Sequence, residues 1–382
     1  MMNGLQTSIP QRMALLRIVL VFSLVISVFL SFNLWGGYRT FPATPVFEDN
    51  LVQPPFDFIF ISLALLCWLL SLFLRGQRIF IFISFLLCFF LVLFDVNRLQ
   101  PWFYIYNSML AIYIFYNGRV DDPNKYTSFF IFLQIAFASV YFFTGLSQLN
   151  ALFIDTSFAE IIEPLRSLVS ERQFLLFKKT GFMSPYMLMF IGLGLIISPI
   201  RYLAISAAIL VHLTLLIFLF PSAAHQNYAL WFSNLSFIIM LLLLFSGKTK
   251  QRYFSPTFLF QQPLFYIIMF VFAVMPFFNI TNKWPDFLSF NYRSGNNNSA
   301  VITLKKSLYD KLPLYQRHFC VASDSVFTFD YQRWVNHELK ADCFPSYPVF
   351  NSIYTNLSQM GATGVKEIEL RFIPKQKVLC KP

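Results

Sequence analysis

The chain alternates long uncharged, Phe/Leu/Ile-rich stretches with short polar breaks up to about residue 282, then becomes a 100-residue tail of ordinary polar composition. Stretches without Asp, Glu, Lys or Arg cover 18–38, 58–74, 79–94, 99–118, 126–154, 180–200, 202–247 and 253–282. A membrane-spanning helix needs about 20 apolar residues, because the hydrocarbon core is about 30 Å thick and each helical residue rises about 1.5 Å. The stretch 202–247 holds two helices, divided at the polar break of Pro221, Ser222, His225 and Asn227, so nine spans are predicted. The expected fold is an all-α polytopic bundle over 1–282, followed by a small α/β domain over 283–382.

Composition supports this class, with 57% hydrophobic residues, 50 Phe and only 12% charged residues. No soluble chain of this size buries so much apolar surface. The net charge of +11 divides almost evenly, with 16 Lys/Arg against 10 Asp/Glu in 1–282 and 13 against 8 in 283–382. Neither part carries a dense basic block, which argues against a nucleic-acid partner. Arg12 and Arg17 precede an apolar run that is long and lacks a compact small-residue cleavage site, so an uncleaved first helix is expected.

Ten cations flank the bundle on one side if the N-terminus is cytoplasmic, against six on the other. By the positive-inside rule this predicts a cytoplasmic N-terminus in a bacterial cytoplasmic membrane, and nine spans then place the tail outside the cytoplasm. In the long connection after the fifth span, Phe158, Ile161, Ile162, Leu165, Leu168 and Val169 recur at helical spacing. They predict an amphipathic helix on the membrane surface, over the mouth of the bundle, or packed as a solvated linker.

Polar residues within apolar spans tend to face the bundle interior. Gln134, Ala138, Tyr141, Gly145 and Gln148 share one helical face, suited to close helix approach and interhelical hydrogen bonds, with a ligand site as the alternative. Ala136 is expected on the opposite side. Trp102, Tyr106, Met109, Tyr113 and Tyr116 form a second stripe, read as packing, and Asp95 and Arg98 stand one turn apart as an expected interfacial ion pair. His212 lies among Leu and Val as an interhelical contact, and His225 in a hydrated break. Gln100, Trp102, Gln134, Tyr141, Gln148 and His212 are the candidate cavity residues. There is no His-x-x-x-His, Cys-x-x-Cys or paired acidic cluster, so no metal site is expected, nor is there a glycine-rich phosphate loop or serine elbow.

In the tail, 299–304 and 367–373 have strand character, while 332–339 and 347–360 read as helices. Segment 294–299 reads as an exposed loop. Cys320, Cys343 and Cys380 leave one disulfide possible outside the cytoplasm, with the pairing open.

Residues 95–106 (DVNRLQPWFYIY) and 140–150 (VYFFTGLSQLN) resemble segments of the vitamin K-dependent gamma-carboxylase superfamily, the HTTM membrane domain. The tail pattern at 288–295, 334–339 and Tyr347-Pro348 resembles uncharacterised bacterial polytopic members of that superfamily. The resemblance implies that Gln148 stands where the carboxylase has the lysine base of vitamin K epoxidation, and that Gln100 lies nearest to a functional histidine. A neutral amide cannot take a proton in that role. The expectation is therefore a membrane protein without carboxylase activity that binds a quinone or lipid and presents its tail to an envelope protein. The alternative is a membrane enzyme or redox partner acting on a lipid-soluble substrate in the bundle cavity. Solute transport lacks a clear pair of broken helices with ion ligands.

Overall fold

The computed structural model describes residues 9–36, 39–47, 55–74, 76–116, 123–220, 227–246, 256–323, 326–360 and 367–376. Helices α1 (Ile9–Leu30), α2 (Phe56–Phe73), α3 (Gln77–Phe94), α4 (Pro101–Ile112) and α5 (Pro123–Ser147) come first. They are followed by α6 (Glu171–Thr180), α7 (Met183–Ile196), α8 (Arg201–Phe218), α9 (Tyr228–Phe245) and α10 (Pro263–Met269). Among the described residues, eight helical segments are long and apolar enough to cross a membrane: Pro10–Leu30, Phe56–Phe73, Gln77–Phe94, Asn124–Ser147, Glu171–Ile196, Ser198–Phe218, Tyr228–Phe245 and Pro263–Thr281. These are compatible with an integral membrane protein, and the polar break at Pro221, Ser222 and His225 lies outside the described residues.

The nine predicted spans thus reduce to eight helices of sufficient length. The missing one is the stretch 99–118, where α4 has only 12 residues before a 3₁₀ turn at Tyr113–Phe115. Pro101 at its first position starts it, since the absent N–H costs nothing there. The helix is buried on nearly every side, including all of Trp102, Tyr106, Met109 and Tyr113, so surrounding helices rather than lipid enclose it. It runs antiparallel to α3, from the Asp95–Arg98 turn back to Tyr116, which shares a cleft with Arg78 at the start of α3.

Side-chain contacts define two ends of the bundle. At the N-terminal end, Tyr113 donates to the Met13 carbonyl at 2.8 Å, and Arg12 donates to the Leu243 carbonyl at 2.5 Å. At the other end, Arg98 donates to the Leu34 and Trp35 carbonyls at 3.0 and 3.2 Å, and Asn150 donates to the Ser294 carbonyl at 2.9 Å. The tail sits on this second end.

Helix α5 is the hub, with 67% of its apolar stretch buried against 22% for α3, whose large apolar side chains face outward as lipid contacts require. Ala136, on the side of α5 opposite the polar stripe, is fully buried as well: a hub helix has neighbours all round. A Cβ at Gly145 would stand 2.5 Å from the Pro185 carbonyl oxygen, so the backbones of α5 and α7 meet where small residues permit it.

Asp95 and Arg98 do not pair with each other. Asp95 takes Arg39 at 2.5 Å, and Arg98 takes Asp57 at 2.7 Å. Partners distant in the chain, Arg39 from a loop and Asp57 from the first turn of α2, win because the extended Asp95 backbone turns its carboxylate to accept from Asn97 N–H and Thr44 N–H. The predicted amphipathic helix is broken into short pieces, Ala151–Phe153, a π turn Ile154–Phe158, Ala159–Ile162 and a 3₁₀ turn Glu163–Ser167 started by Pro164, before α6.

In the tail, strands β1 (Ser299–Lys305), β2 (Cys320–Ser323), β3 (Val326–Phe329) and β4 (Ile368–Ile373) form an antiparallel sheet in the order β2-β3-β1-β4. Helices α11 (Tyr331–Leu339) and α12 (Tyr347–Met360) complete it. Ala300, Ile302 and Leu304 alternate inward along β1, as a half-buried strand requires, with Ile302 opposite both Phe329 and Leu370. Segment 294–299 is not exposed: Ser294 and Asn296 are buried, and Asn297 donates to the Asn291 carbonyl at 3.0 Å. Gly295, at φ +74°, lies so close to the 151–158 turn that a Cβ would strike Thr156. Cys320 and Cys343 are free thiols, and Cys380 lies outside the described residues.

Candidate functional site

Between α4, α5, α7, α8 and α9 lies a chamber of about 680 Å³, roofed by the 151–180 connection and closed at the tail end by Phe290, Tyr292 and Arg293. Its body is apolar, lined for example by Ile105, Val140, Leu188, Leu215 and Phe237. Phe158, Ile161, Ile162 and Leu165 turn into it from the roof, so the helical spacing of these residues served the mouth of the bundle even though the helix itself is broken.

Polar groups gather in two places. In the helical part, Tyr141, His212 and Asn234 form a chain. Tyr141 Oη and His212 Nε2 are 2.6 Å apart, and His212 Nδ1 is 2.9 Å from Asn234 Oδ1. The Asn234 amide N–H₂ donates to the Leu230 carbonyl at 3.0 Å, which turns Oδ1 toward the ring. Nδ1 therefore carries the proton, and Nε2 accepts from the Tyr141 hydroxyl. This leaves the phenol oxygen lone pairs as acceptors toward the chamber.

At the tail end, the Gln148 side-chain oxygen is buried without a hydrogen-bond partner, on a residue only 7% exposed. Nearby, Arg293 Nε donates to the Tyr292 hydroxyl at 3.2 Å, and Tyr292 in turn donates to Asp342 Oδ2. Asp342 is held by Asn227 Nδ2 at 2.7 Å, and its backbone is held by Gln100, whose amide donates to the Asp342 carbonyl at 2.8 Å. Burial alone would lower the Arg293 pKa, but Tyr292, Asp342 and Glu160 raise it above its ordinary value and keep it cationic. Burial, joined by Asp342, pushes the Tyr292 phenol far up, so it acts as a donor. Arg293 adopts φ +50°, a left-handed conformation uncommon for a residue with a Cβ.

Of the six candidate cavity residues, Trp102, Tyr141, Gln148 and His212 line the chamber. Gln134 does not: it donates to the Leu244 carbonyl at 2.7 Å as an interhelical bond. Gln100 is also elsewhere, fastening the tail. Asn234, Tyr292 and Arg293 were missed; Asn234 was accessible as another amide within an uncharged stretch, whereas Arg293 reaches the chamber only through the folding of the tail. Among the described residues no three His, Cys, Asp or Glu side chains come together as metal ligands. Comparison of the chain with protein-family models, curated proteins and solved structures gives no match.

Proposed function

We propose that this is a polytopic protein of a bacterial cytoplasmic membrane that binds a lipid-soluble molecule with a polar head, a quinone or a lipid, inside its bundle. The observation that carries this reading is the apolar chamber of about 680 Å³ with hydrogen-bonding groups at Tyr141 and Gln148. Ligand sites of this kind are mostly apolar with a few fixed polar groups, and a few hundred Å³ suits one ring system or a folded chain. The tail, seated on the mouth, is the part left to meet an envelope protein.

Counting α4 as a further passage beside the eight long helices gives nine, which agrees with the N-terminus and the tail at opposite ends of the bundle. A cytoplasmic N-terminus then leaves the tail outside. A cysteine placed at Leu314, 81% exposed, in a Cys320→Ser background tests this. It should react with an impermeant maleimide on intact cells, and labelling only after permeabilisation would invert the orientation.

Kinship with the gamma-carboxylase superfamily is part of the proposal, without its reaction. Gln148 at the base position cannot deprotonate a hydroquinone, so purified protein given reduced vitamin K, carbon dioxide and a glutamyl peptide should show no epoxide. Epoxide formation abolished by Gln148→Ala would overturn this.

A second reading, an enzyme acting on a lipid-soluble substrate, is favoured by the Tyr141–His212–Asn234 chain. Tyr141 can accept a substrate O–H proton while passing its own to His212 Nε2, leaving an imidazolium whose Nδ1 proton stays on the ring, hydrogen-bonded to Asn234 Oδ1.

Native mass spectrometry of protein released from detergent tests the chamber. The wild type should retain a small apolar molecule, and Ser233→Trp, which places an indole in the chamber, should lose it while remaining folded. Equal retention by both proteins would show that the molecule sits elsewhere, and an empty wild type that takes up neither added menaquinone nor added lipid would refute binding.

A further inference from the structure

A second cleft, of about 440 Å³, lies at the N-terminal end of the bundle, remote from the tail and the chamber. Its lining includes Arg78 at the start of α3, Lys125 at the start of α5, Tyr116, Gln262, Phe115 and Ile267. No carboxylate lines it among the described residues. Arg78 Nε is buried without a hydrogen-bond partner, and neither cation makes an ion pair among the described residues. Gln262 is already committed: it accepts from the Tyr116 hydroxyl at 2.9 Å and donates to Ser128 at 3.0 Å, so the amide forms a fixed wall rather than a free ligand.

A cleft lined by two cations, with no carboxylate among the described residues and a buried, unpartnered donor at Arg78, suits an anion, because an unpaired buried donor costs free energy until one arrives. The geometry also limits the anion's origin. Phe115, 58% exposed, closes the turn after α4, and Ile267, 55% exposed, lies in the apolar segment Pro263–Thr281, so both offer apolar surface beside the cations. A soluble ion gains nothing from them, whereas an acyl chain lies along them. Basic pockets between spanning helices are suited to anionic headgroups.

We infer that this cleft binds an anionic phospholipid, with the phosphate at Arg78 and Lys125 and an acyl chain along Phe115 and Ile267.

The test is titration of the full-length protein in neutral detergent with phosphatidylglycerol, phosphatidylcholine and inorganic phosphate, read by native mass spectrometry. Phosphatidylglycerol should bind more tightly than phosphatidylcholine. The double substitution Arg78→Gln and Lys125→Gln should weaken phosphatidylglycerol by about 30-fold, from about 1 kcal/mol for each cation, and leave phosphatidylcholine unchanged. The charge-preserving pair Arg78→Lys and Lys125→Arg should restore most of the affinity, which separates loss of charge from loss of fold. Arg201, at the same end but donating to the Leu195 carbonyl at 2.9 Å, is the control, and Arg201→Gln should have little effect. An equal loss in Arg201→Gln would show diffuse surface charge and overturn the site. Equal binding of the two lipids would do the same, and displacement by millimolar inorganic phosphate would make it a soluble-anion site instead.

Discussion

The two ends of the bundle handle charge in opposite ways. At the tail end, carboxylates and cations are buried together: Arg39 with Asp95, Arg98 with Asp57, Lys375 with Asp286, and Arg293 beside Asp342. Glu338 accepts from the Trp334 indole at 2.8 Å, the Thr40 hydroxyl at 2.7 Å and Phe41 N–H at 3.0 Å. At the N-terminal end, the described charged side chains are all cations: Arg12, Arg17, Arg78, Lys125 and Arg201. A domain packed over one end shields paired charges from water there and requires each to have a partner. Among the described residues no domain covers the other end, where Arg12 and Arg201 turn to backbone carbonyls and Arg78 and Lys125, in the second cleft, to lipid.

The largest effect expected from this contrast is at Asp95. Asp95→Ala leaves Arg39 without its ion-pair partner and removes a buried negative charge near Arg98, and should cost about 3–5 kcal/mol, read by thermal or denaturant unfolding in detergent. Burial alone would raise the Asp95 pKa, but Arg39 and Arg98 hold it below the usual carboxylate range. A depressed pKa stabilises the fold above the unfolded value, about 3.9, and that contribution fades as the pH falls through the folded value. The advantage of the wild type over Asp95→Asn should therefore persist from pH 7 to 5 and shrink below about pH 4. A gap that widens on acidification would reverse the assignment.

Gly145→Leu comes next, at about 1–3 kcal/mol, because its side chain has no room against Pro185 and Met189. Phe82→Leu on the outer face of α3 should be nearly silent in the same melt, and equal losses would remove the distinction between hub and periphery. Tyr141→Phe withdraws the donor from a buried imidazole nitrogen and should cost about 1–2 kcal/mol while lowering retention of the chamber ligand. An unchanged ligand level would show that the hydroxyl serves only the helix contact. Arg201→Gln should change stability by less than about 0.5 kcal/mol. A loss approaching that of Asp95→Ala would erase the difference between the two ends.

Much of the helical architecture is legible in the chain, because a run of some 20 uncharged residues leaves few alternatives in lipid. The tail strands Ser299–Lys305, through its β-forming residues, and Ile368–Ile373, through its alternation, also read in the chain, but the strands Cys320–Ser323 and Val326–Phe329 do not, since they have only four residues each. Local spacing fails where distant partners decide. Asp95 and Arg98 are one turn apart, yet Arg39 and Asp57 take them. The same limit divides the candidate site. Tyr141 and Gln148 were visible as a polar stripe, but that stripe could not show that Gln134, two turns away from Tyr141, meets a carbonyl of α9 and leaves the chamber. Helical periodicity puts Ala136 opposite the polar stripe but says nothing about how many neighbours surround the helix, and there it is fully buried.

The Glu338 contacts have a consequence for biogenesis. Thr40 and Phe41 belong to the first connection made during synthesis, and the carboxylate that accepts from their N–H groups lies 298 and 297 residues further along. At about 5–20 residues per second, the nascent chain waits some 15 to 60 seconds before that partner exists. During this interval the first hairpin must keep its donors in water, so the bundle cannot close fully around its own beginning. A chain ending before Glu338 leaves Thr40 and Phe41 without this acceptor, and limited proteolysis of that truncation should cut the first connection faster than in the full chain.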